Sequence, residues 1–88
     1  MSAIEISYTS KFAKNFKRLD VNIRSKAKQR IGVFQIDPYN PLLKTHKLTG
    51  QLKDFHSFSV NYSYRILFAF ENSSSVTFID IGTHSIYK

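Results

Sequence analysis

The side chains best suited to chemistry in this chain are histidines and one arginine, and they lie in its second half. Arg65 interrupts an apolar run, His46 precedes that run, and His84 and Tyr87 follow it. An imidazole can give or take a proton because its ordinary pKa lies near neutrality, and a planar guanidinium binds phosphate oxygens in pairs. These types together suit RNA cleavage without a metal, which needs a base for the attacking 2′-OH, a cation on the phosphoryl oxygens and an acid for the leaving 5′-oxygen. An aromatic side chain such as Tyr87 or Phe55 can stack on a base turned out of the strand.

The sequence contains no motif for most other kinds of catalysis. The three histidines are far apart, no carboxylate stands at ligand spacing from them, and there is no H-x-x-x-H. The chain has no cysteine, which leaves neither a disulfide framework nor a thiolate metal site. It also has no glycine-rich phosphate loop and no serine nucleophile elbow. We therefore expect neither a metal nor a cofactor.

Each of these residues also has a purely structural explanation. A lone histidine is more often structural than catalytic, and a strand arginine often pairs with an acid, here Asp80. Placement decides between the explanations: Arg65, His46 and His84 gathered on one side of the molecule favour chemistry, whereas an arginine sealed in the interior excludes it.

The charge of the chain favours polyanionic partners. Thirteen Lys and Arg residues against six Asp and Glu give a net charge of +7 in 88 residues. Residues 11–30 carry eight of those cations and one acid, Asp20. Such a cluster fits nucleic acid or an acidic protein, although an ordinary solvated helix face is the simpler explanation for any single lysine. The candidate contacts to phosphates are Lys11, Lys14, Arg18, Lys44, Lys47, Lys53 and Lys88.

The run over residues 55–84 supplies the strands that must position these groups. It is rich in Val, Ile, Phe and Tyr, and polar breaks near 61–63 and 71–75 divide it into three short strands, which predicts an antiparallel meander. In the middle strand, alternation places Arg65 on the face opposite Ile66 and Phe68. In the last strand it places Phe78 and Ile81 on opposite faces.

The first half of the chain predicts one strand and two helices. Residues 3–8 alternate as a short edge strand, Thr9 and Ser10 can cap a helix over 11–19, and Asp20 can cap a second helix that ends before Asp37 and Pro38. The predicted fold is α+β: a single domain over residues 1–88 with an N-terminal strand, a two-helix hairpin and a three-stranded antiparallel meander in one sheet. Because the helices cover one face only, we expect the other face to stay partly open and to carry the function.

The sequence contains no signal for a membrane. No stretch approaches the roughly 20 apolar residues that cross a bilayer. The N-terminus has neither a basic segment nor an apolar run of the kind found in signal peptides. Together with the lack of cysteine, this predicts a soluble cytoplasmic protein without a membrane partner.

Three segments of the chain resemble the toxins of the RelE/ParE superfamily. They are K-L-T-G-Q-L-K-D, S-F-S-V-N-Y-S-Y-R-I-L-F and I-D-I-G-T-H-S-I-Y-K. The resemblance extends to F-x-x-x-F-K-R-L in the first helix and to the aspartate–proline after the second, so that it spans nearly the whole chain. The histidine before Leu48 and the G-T-H sequence at residues 82–84 are most similar to the YafQ branch, which comprises ribosome-dependent mRNA interferases.

The resemblance implies a role for each of four residues. His84 matches the C-terminal catalytic residue and is the implied general acid, and His46 matches the upstream histidine of the YafQ branch. Arg65 matches the arginine that holds the scissile phosphate, and Tyr87 approximates the terminal aromatic. The implied partners are a cognate antitoxin, mRNA on the ribosome and ribosomal RNA.

The chain also departs from the family pattern at three serines. Ser57, Ser59 and Ser63 stand where relatives place acidic or basic residues. Because a serine hydroxyl is neither an acid nor a base at neutral pH, three alternatives remain: His46 acts as the general base, the reaction depends on electrostatics and geometry, or the activity is weak.

Three functions remain open from the sequence. The first is the toxin of a type II toxin–antitoxin pair that acts as a metal-independent, ribosome-dependent endoribonuclease on mRNA. The second is a ParE-like inhibitor of DNA gyrase, and the third is a catalytically inert relative that only binds an antitoxin. His46 and His84 favour the nuclease, since a gyrase inhibitor has no evident need for them.

Overall fold

The computed structural model describes residues 3–87 of the 88-residue chain. Its strands and helices are, in chain order, β1 (Glu5–Tyr8), α1 (Ser10–Lys17), α2 (Val21–Ile36), β2 (His46–Lys47), β3 (His56–Ser59), β4 (Arg65–Asn72) and β5 (Ser75–Gly82). Short 3-10 turns lie at Pro41–Leu43, Gly50–Leu52 and His84–Tyr87. Lys88, one of the predicted phosphate contacts, lies outside the described residues.

Both helices begin at the predicted caps. The Thr9 side chain accepts a hydrogen bond from the Phe12 N–H at 3.0 Å, and the Asp20 carboxylate accepts one from the Asn22 N–H at 3.1 Å. Each cap satisfies a donor that the first turn of a helix leaves unpaired. α2 ends at Ile36, as expected from the proline two residues later.

The sheet is larger than the predicted meander. It has five strands in the order β1-β5-β4-β3-β2, with β1 parallel to β5 and the remaining neighbours antiparallel. The three-stranded antiparallel meander therefore accounts for β3, β4 and β5 only, and the sheet is mixed. The sequence missed β2 because a strand of two residues has no periodicity; pairing of His46 with Ser57 and of Lys47 with His56 defines it.

A bulge between β4 and β5 overturns one predicted face. Leu67 pairs with Asp80 while the next residue, Phe68, pairs with Phe78, so that Ile79 is an extra residue in β5. The extra residue shifts the alternation, and Ile81 consequently joins Phe78 in the same buried core. The prediction that these two side chains lie on opposite faces is therefore wrong.

Stacked aromatic rings form the core between the helices and the sheet. The Phe34 ring of α2 lies 4.8 Å from that of Phe58, 4.9 Å from that of Phe68 and 5.5 Å from that of Phe78, measured between ring centroids. All four side chains are fully buried. Offset and edge-on pairs at these separations are favourable beyond the area that they bury.

The turn after β5 covers part of the second face of the sheet. The turn His84–Tyr87 folds back over it, since the Tyr87 hydroxyl reaches Ser57 on β3 at 2.8 Å. Ile86 lies so close that a methyl group added at Gly82 would stand 2.8 Å from its Cγ2. The chain thus partly covers the face that has no helix. Among residues 3–87, no helix is long and apolar enough to span a membrane.

Candidate active site

Arg65 stands at the start of β4 and is held by a serine. It pairs in register with Ser59 on β3 and with Gly82 on β5. Its guanidinium Nη1–H donates a hydrogen bond to Ser59 Oγ, and the residue is half-buried. The stem is therefore packed and the head is oriented while most of its donors remain available to a ligand.

His46 is oriented by the backbone just before β2. Lys44 adopts the left-handed conformation (φ 52°, ψ 41°) where the chain leaves the 3-10 turn Pro41–Leu43. The His46 Nδ1–H donates to the Lys44 carbonyl at 3.1 Å, because a carbonyl oxygen can only accept. In the neutral ring, Nε2 is then the acceptor; it lies 3.5 Å from Ser57 Oγ, at the outer limit of a hydrogen bond.

Ser57 joins His46 to the end of the chain. Its side chain is fully buried, and its hydroxyl lies 2.8 Å from the Tyr87 hydroxyl. The two contacts are consistent with each other if the Tyr87 O–H donates to Ser57 Oγ and the Ser57 O–H donates to His46 Nε2. Two of the three serines that depart from the family pattern therefore orient site residues: Ser57 contacts His46 and Tyr87, and Ser59 contacts Arg65.

The 3-10 turn after β5 presents His84 and Tyr87 side by side. Their rings meet edge to face, 5.5 Å apart and inclined by 70°. His84 is exposed, whereas Ile86 of the same turn is buried and anchors it. The close approach of Ile86 requires a glycine at residue 82.

These side chains meet at one surface cavity. It has a volume of about 330 Å³ and is lined by Lys44, His46, Arg65, His84 and Tyr87. Two neighbouring cavities, of about 390 and 400 Å³, also include Arg65 in their walls. We call the three cavities together the basic groove.

The groove contains cations without neighbouring acids. None of the residues that line its three cavities is Asp or Glu. Asp80, the acid considered as a partner for Arg65, instead accepts from Asn15 Nδ2 at 2.7 Å and lies 3.5 Å from Lys11 Nζ. The structural explanation of Arg65 as half of an ion pair with Asp80 is therefore wrong.

Other predicted phosphate contacts lie apart from the groove. Among the lysines of the described residues, only Lys44 lines the groove, and it belongs to the walls of two of the three cavities. Lys14 and Arg18 are exposed on α1 and at its C-terminal end, and Lys47 and Lys53 are exposed near β2 and after the turn Gly50–Leu52. Lys11 lies beside Asp80.

The groove also contains residues that were not predicted from the sequence, and three of them bear on its chemistry. Ser59 orients Arg65, and Arg30 and Tyr62 line the cavity of about 400 Å³. Arg30 is three and four residues from the buried Ala27 and Phe34, so a charged residue at an inward-facing helical position was the available signal. For Tyr62 the signal was an aromatic ring inside a polar break.

His56 lies away from the groove, on the face of the sheet that the helices cover. Its ring packs 5.5 Å from that of Phe68 and 5.1 Å from that of Phe70. Burial lowers the pKa of His56 from its ordinary value, and the nearby Lys47 and His46 lower it further. Across residues 3–87, no group of three His, Asp or Glu side chains could hold a metal ion.

Comparison with known proteins finds relatives by structure alone. No protein-family model matches the chain, and no curated protein matches its sequence. YafQ from E. coli strain BL21(DE3) matches with a TM-score of 0.74 at 20% identity, over 96% of this chain and 97% of that one. A YoeB/ParE toxin from Agrobacterium tumefaciens matches with a TM-score of 0.77 at 16% identity, over 92% and 99%. The toxin–antitoxin complex RelBE2 from Mycobacterium tuberculosis matches with a TM-score of 0.78 at 14% identity, over 93% and 99%.

Each match spans nearly the full length of both aligned chains. At such identities they establish the arrangement of helices and strands but not the activity. The chain has the fold of YafQ, of the YoeB/ParE toxin and of the matching chain in RelBE2, and it resembles YafQ.

Proposed function

We propose that this protein is the toxin of a type II toxin–antitoxin pair and that it cleaves mRNA on the ribosome without a metal ion. One observation carries the proposal. A single cavity places the Arg65 guanidinium with two histidines, and no carboxylate lines it. A cation without a neighbouring acid is suited to bind an anion, and two imidazoles supply the base and the acid of a phosphoryl transfer.

The chemistry assigns one role to each side chain. His46 Nε2 accepts the proton of the ribose 2′-OH as that oxygen attacks phosphorus. The guanidinium of Arg65 holds the non-bridging oxygens and stabilises the charge that grows on them. His84 donates a proton to the 5′-oxygen as the P–O5′ bond breaks, which leaves a 2′,3′-cyclic phosphate and a 5′-hydroxyl. Tyr87 stacks on a base beside this phosphate.

The hydrogen bonds around His46 suit the role of base. The Lys44 carbonyl holds the proton on Nδ1 and so leaves the lone pair on Nε2. The contact between Nε2 and Ser57 is long at 3.5 Å, and a ribose hydroxyl can replace it. Ser57 stays in place through its 2.8 Å bond to Tyr87.

The cations outside the basic groove are assigned to binding of the ribosome. Exposed cations of α1, such as Lys14 and Arg18, would contact ribosomal RNA phosphates while the basic groove meets the codon. Because such contacts are ionic, we expect association with ribosomes to weaken steeply as the salt concentration rises.

A cognate antitoxin is the proposed protein partner. The matching structures include the E. coli DinJ–YafQ toxin–antitoxin complex, which this chain resembles with a TM-score of 0.72 over 96% of its length. The net charge of +7 favours an acidic antitoxin segment laid along the basic groove, where it would block access of RNA to Arg65.

The proposal is tested by expressing the protein alone and mapping mRNA 5′ ends on translating ribosomes. We expect ends in phase with codons that disappear for His84→Ala and Arg65→Ala. Lys28→Ala removes one exposed positive charge from α2 outside the groove and is the matched control. Arg65→Ala should lower the cleavage rate by about 100- to 1,000-fold while changing ribosome affinity much less, since the contact strengthens as negative charge develops.

Other outcomes identify the competing functions. Growth arrest with intact mRNA and altered DNA supercoiling points to gyrase inhibition. No phenotype together with tight antitoxin binding points to an inert module. An equal fall of rate and affinity in Arg65→Ala contradicts the assigned role of the arginine.

A further inference from the structure

An aromatic ring stands at the tip of the turn between β3 and β4. Tyr62 is 91% exposed, the largest exposed fraction among the bulky apolar side chains of the described residues. The turn is held firmly, since Asn61 Oδ1 accepts from the Ser63 N–H at 2.9 Å and from the Tyr64 N–H at 2.8 Å. The Val60 N–H also donates to the Tyr64 carbonyl at 2.8 Å. The backbone of the turn is therefore held in place and carries a large ring into solvent, where the ring contributes nothing to the core.

The ring belongs to the walls of two of the three cavities of the basic groove. One contains Tyr62 with Ser63, Thr83 and His84 and has a volume of about 390 Å³. The other, of about 400 Å³, contains Tyr62 and extends toward α2. Both include Arg65, so the ring lies immediately beside the position proposed for the scissile phosphate.

The second of these cavities gathers cations from separate parts of the chain. Arg30 of α2, Lys44 before β2 and Arg65 of β4 all line it. No carboxylate in the described part of the chain lies within ion-pair distance of any of the three, and none lines the cavity. A single strand of RNA carries one phosphate per nucleotide, so a second and a third cation beside Arg65 can accommodate the adjoining phosphate.

An exposed ring on a well-held turn, next to a row of cations, is a combination suited to single-stranded nucleic acid. Cations alone would serve an acidic peptide equally well, because carboxylates need no stacking partner. The ring adds a flat apolar surface at the tip of the turn, which matches a base attached to those phosphates. The ring therefore favours RNA as a ligand of this cavity, in competition with the antitoxin segment proposed for the same groove.

We propose that Tyr62 is a stacking platform for the base of a nucleotide adjoining the phosphate at Arg65, and that Arg30 and Lys44 bind the next phosphate. The proposal rests on the proposed nuclease function and extends it to a second nucleotide subsite. Since every base has a flat face, the platform supplies affinity and position at this nucleotide with little sequence preference.

The test uses ribosomes with a vacant decoding site and messages that carry one abasic nucleotide at successive positions around the mapped cleavage point. For the wild-type protein, the scan should show a sensitive position in addition to the one assigned to Tyr87. At that second position, loss of the stacked base should lower the cleavage rate roughly 5- to 150-fold. Tyr62→Ala should show the same fall on the intact message and no further fall on that abasic message. Tyr62→Phe keeps the ring and should retain wild-type behaviour.

A tyrosine elsewhere provides the control. Tyr39 is 58% exposed and stacks on Phe70, away from the groove residues, so Tyr39→Ala should leave the abasic profile unchanged. Circular dichroism of all variants checks that the turn and the fold are retained.

The outcomes separate this proposal from the proposed function. If Arg65→Ala abolishes cleavage while Tyr62→Ala cleaves the intact message at the wild-type rate, the platform is wrong and the nuclease stands. Weaker binding of the antitoxin by Tyr62→Ala with unchanged cleavage assigns the ring to a protein partner and also overturns the platform. If the wild-type protein cleaves no message, both proposals are wrong.

Discussion

The two faces of the sheet use alternate residues of the same strands in different ways. Toward the helices, β3 and β4 present Phe58 and Phe68, which are fully buried among other aromatic rings. Toward the groove, the neighbouring positions carry Ser57, Ser59 and Arg65, which bind one another, His46 and Tyr87 through polar contacts. One face is thus held by apolar burial and the other by a few directed hydrogen bonds.

The difference separates stability from activity. Burial of aromatic rings supplies most of the free energy of folding, whereas a hydrogen bond adds only about 0.5–1.5 kcal/mol net. The groove face can therefore carry an unpaired cation and exposed imidazoles because the opposite face supplies the stability. Substitutions on the core face should reduce stability, and those on the groove face should reduce activity while the protein remains folded.

The largest effect is expected for Phe34→Ala. The side chain is fully buried and contacts three further aromatic rings, so its loss should lower the free energy of unfolding by about 3–5 kcal/mol. Urea denaturation measures the change. Ile36→Ala, at an 84% exposed position of the same helix, should change stability by less than about 0.5 kcal/mol. Equal losses for the two variants would contradict the proposed source of stability.

A smaller effect, but a more informative one, is expected for Gly82→Ala. The added methyl group would lie 2.8 Å from Ile86 Cγ2, which should cost about 1–3 kcal/mol and displace the turn that carries His84 and Tyr87. Cleavage should then fall even under conditions where the protein is fully folded. Gly32→Ala is the matched control: its added methyl group meets nothing within 4 Å. In a helix that change should stabilise the protein by about 0.5–1 kcal/mol. Full activity in folded Gly82→Ala would show that the turn needs no such exact placement.

The smallest effect concerns the pH dependence of stability at His56. Its pKa is lowered in the folded state by burial and by Lys47 and His46, so the unfolded chain takes up a proton more readily. The stability that neutral His56 contributes is present above its ordinary pKa of about 6.5 and is lost as the pH falls toward the lowered value. The stability of His56→Phe relative to the wild type should therefore increase as the pH is lowered. Urea denaturation midpoints at several pH values measure the difference. A difference that is independent of pH would contradict this assignment.

The sequence predicted the helices and the meander well because those signals are local. Thr9 and Asp20 marked the helix starts, Pro38 marked the end of α2, and the polar breaks separated the three strands of the meander. Features that depend on partners distant in sequence were missed. β2 has only two residues and exists through pairing with β3, and the bulge at Ile79 moved Ile81 into the core.

For the site, residue types were predictable but their relations were not. The sequence identified Arg65, His46, His84 and Tyr87 as groups suited to phosphate chemistry. It could not show that they line one cavity, that Asp80 is occupied by Asn15 and Lys11, or that Tyr62 and Arg30 adjoin the same arginine. Spacing along a chain does not determine which side chains converge when the strands belong to different parts of it.

By itself, the sequence determined the helices, the strands of the meander, the excess positive charge and the presence of histidines and an arginine in the second half of the chain, because propensity, capping and side-chain chemistry are properties of short segments. The tertiary structure alone decided the five-stranded order, the turn that closes over the second face and the convergence of these groups on one groove. These features follow from pairing and packing between residues that are far apart in the chain, for which a linear pattern carries no signal.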